Sequence, residues 1–336
     1  MTARLDGFGT TSGGEHVGIA TLTGGGLTAR VMTWGAALQD LRLAGHEPPL
    51  VCGFAEFAHY EKHSPYFGAT PGRFANRIGN AQFTLDGTLH RLDANSAGGH
   101  TLHGGSHGIG KRIWQVADLG TSHIDLTLDD PDGTMGFPGN CRHTASYRLG
   151  GEGEVTITLT TRTDAPTIAG LTHHSYFILD DTGHVLDHEV QVDADRYLAV
   201  DDDLIPVQTV PVEGTPFDFR KLTRLGARIE DGFFYDHNLC LSETRRSLRD
   251  VACVRSPHSG VSLAVATTEP GLQLYGGHKV DTPVPGLTGQ RYGAHAGLCL
   301  ECQVWPDAPN RSDFPCARLD PDDELRQVTR YTFTLD

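Results

Sequence analysis

The sequence predicts an all-β protein: a large antiparallel β-sandwich with a few short helices. Three observations carry this expectation. Apolar and polar residues alternate with a period of two in segments from one end of the chain to the other, the pattern of strands with one buried face. Glycine and proline number 41 and 18 among 336 residues, and they are the two poorest residues for a helix interior. Turn signals break the alternating runs at short intervals, as in packed antiparallel sheets.

Taken in chain order, the elements follow from local chemistry. Residues 54–60 and 221–229 are the best helical stretches, each about two turns long. Phe83-Thr-Leu-Asp-Gly-Thr-Leu-His-Arg-Leu92 reads as a hairpin, because Asp86-Gly87 suits a type I′ turn. Ile124, Leu126 and Leu128 alternate with polar residues and predict a strand, as do Val155, Ile157 and Leu159. Val261, Leu263 and Val265 repeat the pattern, and Tyr331, Phe333 and Leu335 close it. Three longer loops, 68–80, 100–110 and 130–140, mix glycine or proline with polar groups and can carry function on a sheet scaffold. No Gly/Ser linker, composition shift or internal repeat divides the chain, so residues 1–336 are read as one domain.

Composition narrows the partners. Lys and Arg total 27 against 42 Asp and Glu, a net charge of −15. Nucleic acid demands a basic footprint, so it is not expected as a partner; an anionic membrane surface is disfavoured for the same reason. No apolar leader and no membrane-length apolar run is visible, which points to the cytoplasm. A monomer or homodimer is expected. The seven cysteines are odd in number and irregularly spaced, unlike a disulfide framework. Cys299-Leu-Glu-Cys302 is formally C-x-x-C, yet its surroundings read as a strand. Residues three apart on a strand face opposite ways, so a shared metal or redox bond is not expected there.

The candidate chemistry is dispersed along the chain. Glu301 lies in the apolar run Leu298-Cys-Leu-Glu-Cys, where a carboxylate is costly unless paired, and where burial would raise its pKa toward that of a general base. Its same-face neighbours would be Cys299 and Gln303. His103 precedes Gly104-Gly105, which allow a sharp turn and close approach of a ligand. His174 sits in Leu171-Thr-His-His-Ser-Tyr-Phe-Ile178, read as an aromatic-rich strand segment. Asp236 follows three aromatic residues, Asn76-Arg77 lie near the end of the first long loop, and Gln273 faces away from Leu272 and Leu274. Singly, most of these residues read equally well as ordinary polar positions. Together, two imidazoles, two carboxylates, a guanidinium and two amides suit a polyhydroxylated ligand. No glycine-rich phosphate loop opens a helix, so no nucleotide cofactor is expected.

Seven segments, in order, resemble the aldose 1-epimerases (galactose mutarotases). They include Gly72-Arg-Phe-Ala-Asn-Arg-Ile-Gly79, Thr101-Leu-His-Gly-Gly105 and Pro131-Asp-Gly-Thr-Met-Gly-Phe-Pro-Gly-Asn140. Leu171-Thr-His-His-Ser-Tyr-Phe177, Tyr235-Asp-His-Asn238 and Pro270-Gly-Leu-Gln-Leu-Tyr275 follow. Leu300-Glu-Cys-Gln with Trp305-Pro-Asp-Ala-Pro-Asn310 completes the set. The resemblance implies the mutarotase-like supersandwich, a free aldose substrate, anomer interconversion, and no metal or organic cofactor. It implies Glu301 as general base, His174 as general acid and His103 as the second active-site histidine. Asn76, Arg77, Asp236 and Gln273 fall at substrate-binding positions.

Three departures from the family pattern, His173, Ile178 and Gly276-Gly277-His278, are expected to border the sugar or its surroundings. They leave the preferred aldose open. A glycoside hydrolase using Glu301 and Asp236 and a non-catalytic sugar-binding sandwich are the alternatives. A hexose-phosphate mutarotase would need basic residues at the cleft, and Arg77 is the one such residue among the matched positions.

Overall fold

The computed structural model describes residues 3–229 and 233–335. Three sheets dominate, and their pairings are antiparallel throughout. Leu5–Thr10, His16–Gly24, Leu27–Met32 and Ala37–Leu43 form a four-stranded meander. A nine-stranded sheet runs in the order Thr223–Arg224, Glu189–Val192, Arg249–Arg255, Val261–Thr267, Leu325–Leu335, Glu154–Thr163, Cys141–Leu149, His123–Asp130 and Gln115–Leu119. A six-stranded sheet runs Tyr176–Phe177, Leu298–Gln303, Gly271–Tyr275, Asp236–Cys240, Arg196–Val200 and Pro206–Pro211.

The two larger sheets share a core. Phe177 of the six-stranded sheet meets Tyr331 of the nine-stranded sheet with ring centroids 4.9 Å apart. The Tyr331 hydroxyl donates to the Leu300 carbonyl at 3.3 Å. Ile124, Leu126, Val155, Ile157, Val261, Leu263, Val265, Tyr331 and Phe333 are all buried, as the alternation requires. Leu335, the last described residue of its strand, is 43% exposed. The Phe83 hairpin forms as expected: Gln82–Leu85 pairs with Thr88–Arg91, and both Asp86 and Gly87 have positive φ, as a type I′ turn demands.

The helices differ from expectation. The α-helix is Phe57–His63, three residues later than 54–60. Tertiary bonds claim the backbone of Phe54: its N–H donates to the Tyr60 hydroxyl and its carbonyl accepts from Gln39. Within 221–229, Thr223–Arg224 pairs as strand with Glu189 and Val190, leaving a single 3₁₀ turn at Leu225–Arg228. Sheet pairing overrides a weak helical preference there. No helix among the described residues is long and apolar enough to cross a membrane.

Two of the three long loops contain short strands that pair with each other. Arg77–Ile78 lies against Thr101–Leu102. The first and third loops are joined by a buried charge cluster. Arg73 is 1% exposed, and its Nε and Nη2 donate to Asp130 Oδ2 at 2.9 and 2.8 Å. Its Nη1 donates to the carbonyls of Pro138 and Gly139, while Arg112 donates to Asp130 Oδ1 at 2.6 Å. Burial alone would raise the Asp130 pKa; hydrogen bonding from His143 and the charge of Arg73 outweigh it and hold the value at about 2. Arg73→Ala takes the buried guanidinium from Asp130, leaving it Arg112, and unpairs the Pro138 and Gly139 carbonyls, so a loss of about 3 kcal/mol is expected in urea unfolding. A loss under about 1 kcal/mol, the surface-pair range, would show that the cluster does not tie the loops together.

Candidate active site

The site opens on the face of the six-stranded sheet turned away from the nine-stranded one. All six residues of Leu298–Gln303 are buried, so both faces of this strand are covered. The C-x-x-C sulfurs diverge as predicted: Cys299 faces His174, whereas Cys302 lies by Thr267 and Thr329 of the other sheet. Glu301 projects on the Cys299 side and is 2% exposed. Across the sheet, Glu301 stands directly opposite Gln273, and Gln273 opposite Asn238. One row of three adjacent strands thus presents a carboxylate and two amides.

The long loops bring the remaining groups over this row. His103 has φ of 52° and Gly104 of 81°. A Cβ at residue 104 would lie 2.0 Å from the Gly72 carbonyl, so glycine alone permits the turn. The His103 N–H donates to the Asn76 carbonyl at 3.0 Å, and the Asn76 N–H donates to His103 Nδ1 at 3.1 Å. His174 is held by an isolated bridge to Ala69, not within a strand as expected; the strand is only Tyr176–Phe177. The cause is local: the 171–175 backbone bonds to the 68–73 loop and to Gln327. The His174 ring lies between two tyrosines, 5.9 Å from Tyr66 and 5.1 Å from Tyr176, both stacked.

The result is a cleft of about 340 Å³. Its lining includes six of the seven predicted residues: Asn76, Arg77, His103, His174, Asp236 and Glu301. Gln273 lies beneath, its Nε2 donating to Asp236 Oδ1 at 2.7 Å. The Arg77 guanidinium stands 3.8 Å from Asp236 Oδ2. His174 Nε2 stands 3.6 Å from Glu301 Oε2, which is buried with no hydrogen-bond partner. Residue-level reasoning missed Tyr66, Tyr176, Tyr275 and Lys279, which also line the cleft. The spacing of Tyr176, two residues beyond His174, was a usable signal; Tyr66 has none, since a φ of 69° places it.

Burial dominates the electrostatics. It drives the Glu301 carboxyl well above the usual carboxylate range; the charge of Asp236 adds to the rise and Arg77 opposes it. Burial lowers His174 to about 4, with Asp236 partly offsetting. Burial also takes His103 well below its ordinary value, helped by His174 and Arg77. Both imidazoles are therefore neutral in the free site near pH 7. The Cys299 thiol, pushed up by burial, stays protonated and can donate across 3.5 Å to His174 Nδ1. The other ring nitrogen, Nε2, faces Glu301.

Nitrogen and oxygen atoms of His103, His174 and Glu301 lie within 4.8 Å of one another, a spacing that could hold a metal ion. The tautomer of His103 opposes that use. Its Nδ1 accepts the Asn76 amide proton, so in the neutral ring Nε2 carries the hydrogen and has no lone pair for a metal. The same lock makes His103 a fixed hydrogen-bond donor.

Of the three departures, one comes close to the cleft. His173 turns into the inter-sheet core, bonding Ser175 and Tyr147, because adjacent residues along extended backbone face opposite ways. Ile178 lines a different cavity beside Pro48, Pro49 and Tyr292. His278 stands behind the cleft wall, stacking on Phe234 at 4.2 Å and meeting the lining residue Tyr275 edge-on.

Comparison with known proteins converges on one family. The family model described as aldose 1-epimerase matches residues 19–332. The chain is 39% identical to a galactose mutarotase of Mus musculus over 96% of each sequence. It is 35% identical to an aldose 1-epimerase of Escherichia coli K12 over 92% of each. Among solved structures, a GalM/aldose epimerase homologue from C. elegans superposes with a TM-score of 0.89 at 29% identity, covering 95% of this chain and 100% of that one.

The depressed histidines set a pH dependence of stability. His173 and His174 are held at about 3 and about 4, against 6.5 for the free side chain. The unfolded chain therefore binds protons that the folded chain refuses. Stability from these two groups is complete above about pH 6.5 and falls as pH drops toward 4. Urea unfolding at pH 5 should show a loss of about 2 kcal/mol per histidine relative to pH 7.5. Equal stability at the two pH values would contradict the neutral, buried assignment.

Proposed function

Because the chain belongs to the aldose 1-epimerase family, we propose that Glu301 and His174 are the base and acid with which its cleft opens and recloses a sugar ring. The chain is an isomerase, a mutarotase interconverting the α and β anomers of a free aldose. The observation that carries the residue assignment is the Glu301–His174 pair, two buried titratable groups 3.6 Å apart with an unpartnered carboxylate oxygen between them.

Opening a cyclic hemiacetal removes the proton of the C1 hydroxyl and adds one to the ring oxygen. Glu301 takes the hydroxyl proton, and protonated His174 gives its proton to the ring oxygen. Rotation about C1–C2 turns the other aldehyde face inward; the roles then reverse and the ring closes. The pair needs one proton in total. In the free site desolvation keeps that proton on Glu301, and attraction across 3.6 Å offsets part of the cost of moving it to His174 to form the reactive ion pair. A carboxyl raised by burial is also a stronger base than an exposed one. His103, locked as a donor, steadies the ring or C1 oxygen. Arg77 and Asp236 hold the sugar's other hydroxyls, with Asn76 and Gln273 orienting them.

Relatives named for galactose support an aldohexose such as galactose or glucose as substrate. The glycosidase reading is not favoured: Asp236, its second carboxylate, is engaged by Gln273 and Arg77. Seven free cysteines support a reducing, cytoplasmic setting.

Polarimetry on freshly dissolved α-galactose tests the assignment. Glu301→Gln keeps the shape and removes the base, so the rate should fall roughly a hundredfold to ten-thousandfold with unfolding unchanged. Near-normal mutarotation by that variant would sink the role of Glu301.

A further inference from the structure

The segment Trp305-Pro-Asp-Ala-Pro-Asn310 contributes no residue to the cleft lining, yet its Asp307 reaches the strand that carries Arg77. The Asp307 N–H donates to the Arg77 carbonyl at 2.8 Å. Its carboxylate Oδ1 accepts the Gly79 N–H, also at 2.8 Å. The two bonds bracket Ile78. On its other edge the same strand is paired with Thr101–Leu102. Asp307 therefore stands in for a further strand one residue long, with a backbone donor and a side-chain acceptor.

The geometry of Asp307 is held from behind. Asn310 Nδ2 donates to the same Oδ1 at 2.8 Å and to the Gln82 carbonyl at 3.0 Å. Asp307 itself has φ of 57°, which turns both its N–H and its side chain toward residues 77–79. It is 6% exposed, so its partners are not replaced by solvent. The Trp305 ring anchors the start of the segment by donating from Nε1 to the Pro270 carbonyl at 2.9 Å.

We propose that Asp307 is a positioning residue for sugar binding: a two-point clamp that fixes the Arg77 backbone and so aims its guanidinium into the cleft. A residue acting this way shows itself in affinity. Loss of the clamp lets Arg77 sample positions away from the sugar, which raises KM, while the Glu301–His174 pair on its own strand and bridge is untouched. A merely structural residue would instead lower the folded fraction and leave KM where it was.

The inference rests on the reading of Arg77 as a sugar ligand, and the experiment separates the two. Mutarotation kinetics are measured per folded molecule for Asp307→Ala, Asp307→Asn, Asn310→Ala and Arg77→Ala. Asp307→Ala should raise KM about tenfold, with kcat changed less than about threefold. Asp307→Asn retains an Oδ1 acceptor and the N–H, so KM should return to within about twofold of the parent. Asn310→Ala, at an exposed position, should raise KM about threefold and decides the matter if Asp307→Ala does not fold. Combining Asp307→Ala with Arg77→Ala should add nothing to the KM of Arg77→Ala alone. A lowered Tm with unchanged KM in the Asp307 and Asn310 variants overturns the clamp. An unchanged KM in Arg77→Ala removes its premise instead.

Discussion

A carboxylate buried on a strand covered on both faces is the constraint around which the molecule is arranged. Glu301 is 2% exposed with one oxygen unpartnered, a placement that works against folding. The opposite face of its strand compensates by joining the apolar core between the six- and nine-stranded sheets. The groups around the carboxylate are graded. A histidine faces it, an amide stands beside it, and one aspartate and one arginine of opposite charge lie farther out. None of them quenches it with a short ion pair, which would lower the pKa that burial raises. Local rules of stability are broken at one point and kept elsewhere, which is the usual mark of a working site.

Backbone groups, more than side chains, define the tools in the cleft. The Asn76 amide fixes the proton on His103, and the Ala69 bridge presents His174. Tyrosine rings on both sides prevent the His174 imidazole from turning over. Each histidine thus offers one chosen nitrogen, and neither is free to choose a different partner. The chemistry needs that discipline, since acid and base must trade places within a cycle.

Much of this was legible in the chain. The alternation of Val155, Ile157 and Leu159 transmits directly into burial because each side chain has only two faces to choose from. Glu301 announced itself as a charge in an apolar run. All seven site residues predicted from the family resemblance converge at or beneath one cleft. What the sequence concealed is what tertiary contacts decide. The 54–60 helix shifted because Phe54 found tertiary backbone partners, and 221–229 was claimed by an edge pairing. His173 was expected to border the sugar or its surroundings but faces the inter-sheet core, a consequence of its being one residue from His174. Tyr66 left no trace, because nothing in Ser64-Pro65-Tyr66 reveals a left-handed backbone.

The bond between Gly79 and Asp307 spans 228 positions of sequence. The two halves of the sugar site therefore lie far apart along the chain. As the polypeptide emerges, the arginine-bearing strand has its Thr101–Leu102 neighbour early, whereas Glu301 and Asp307 follow only after the intervening strands. Contacts of this separation close slowly, after the entropy of a long loop has been overcome. Sugar recognition is thus a property of long-range closure: the second edge of the Arg77 strand is completed only once the segment that follows Glu301 has been made.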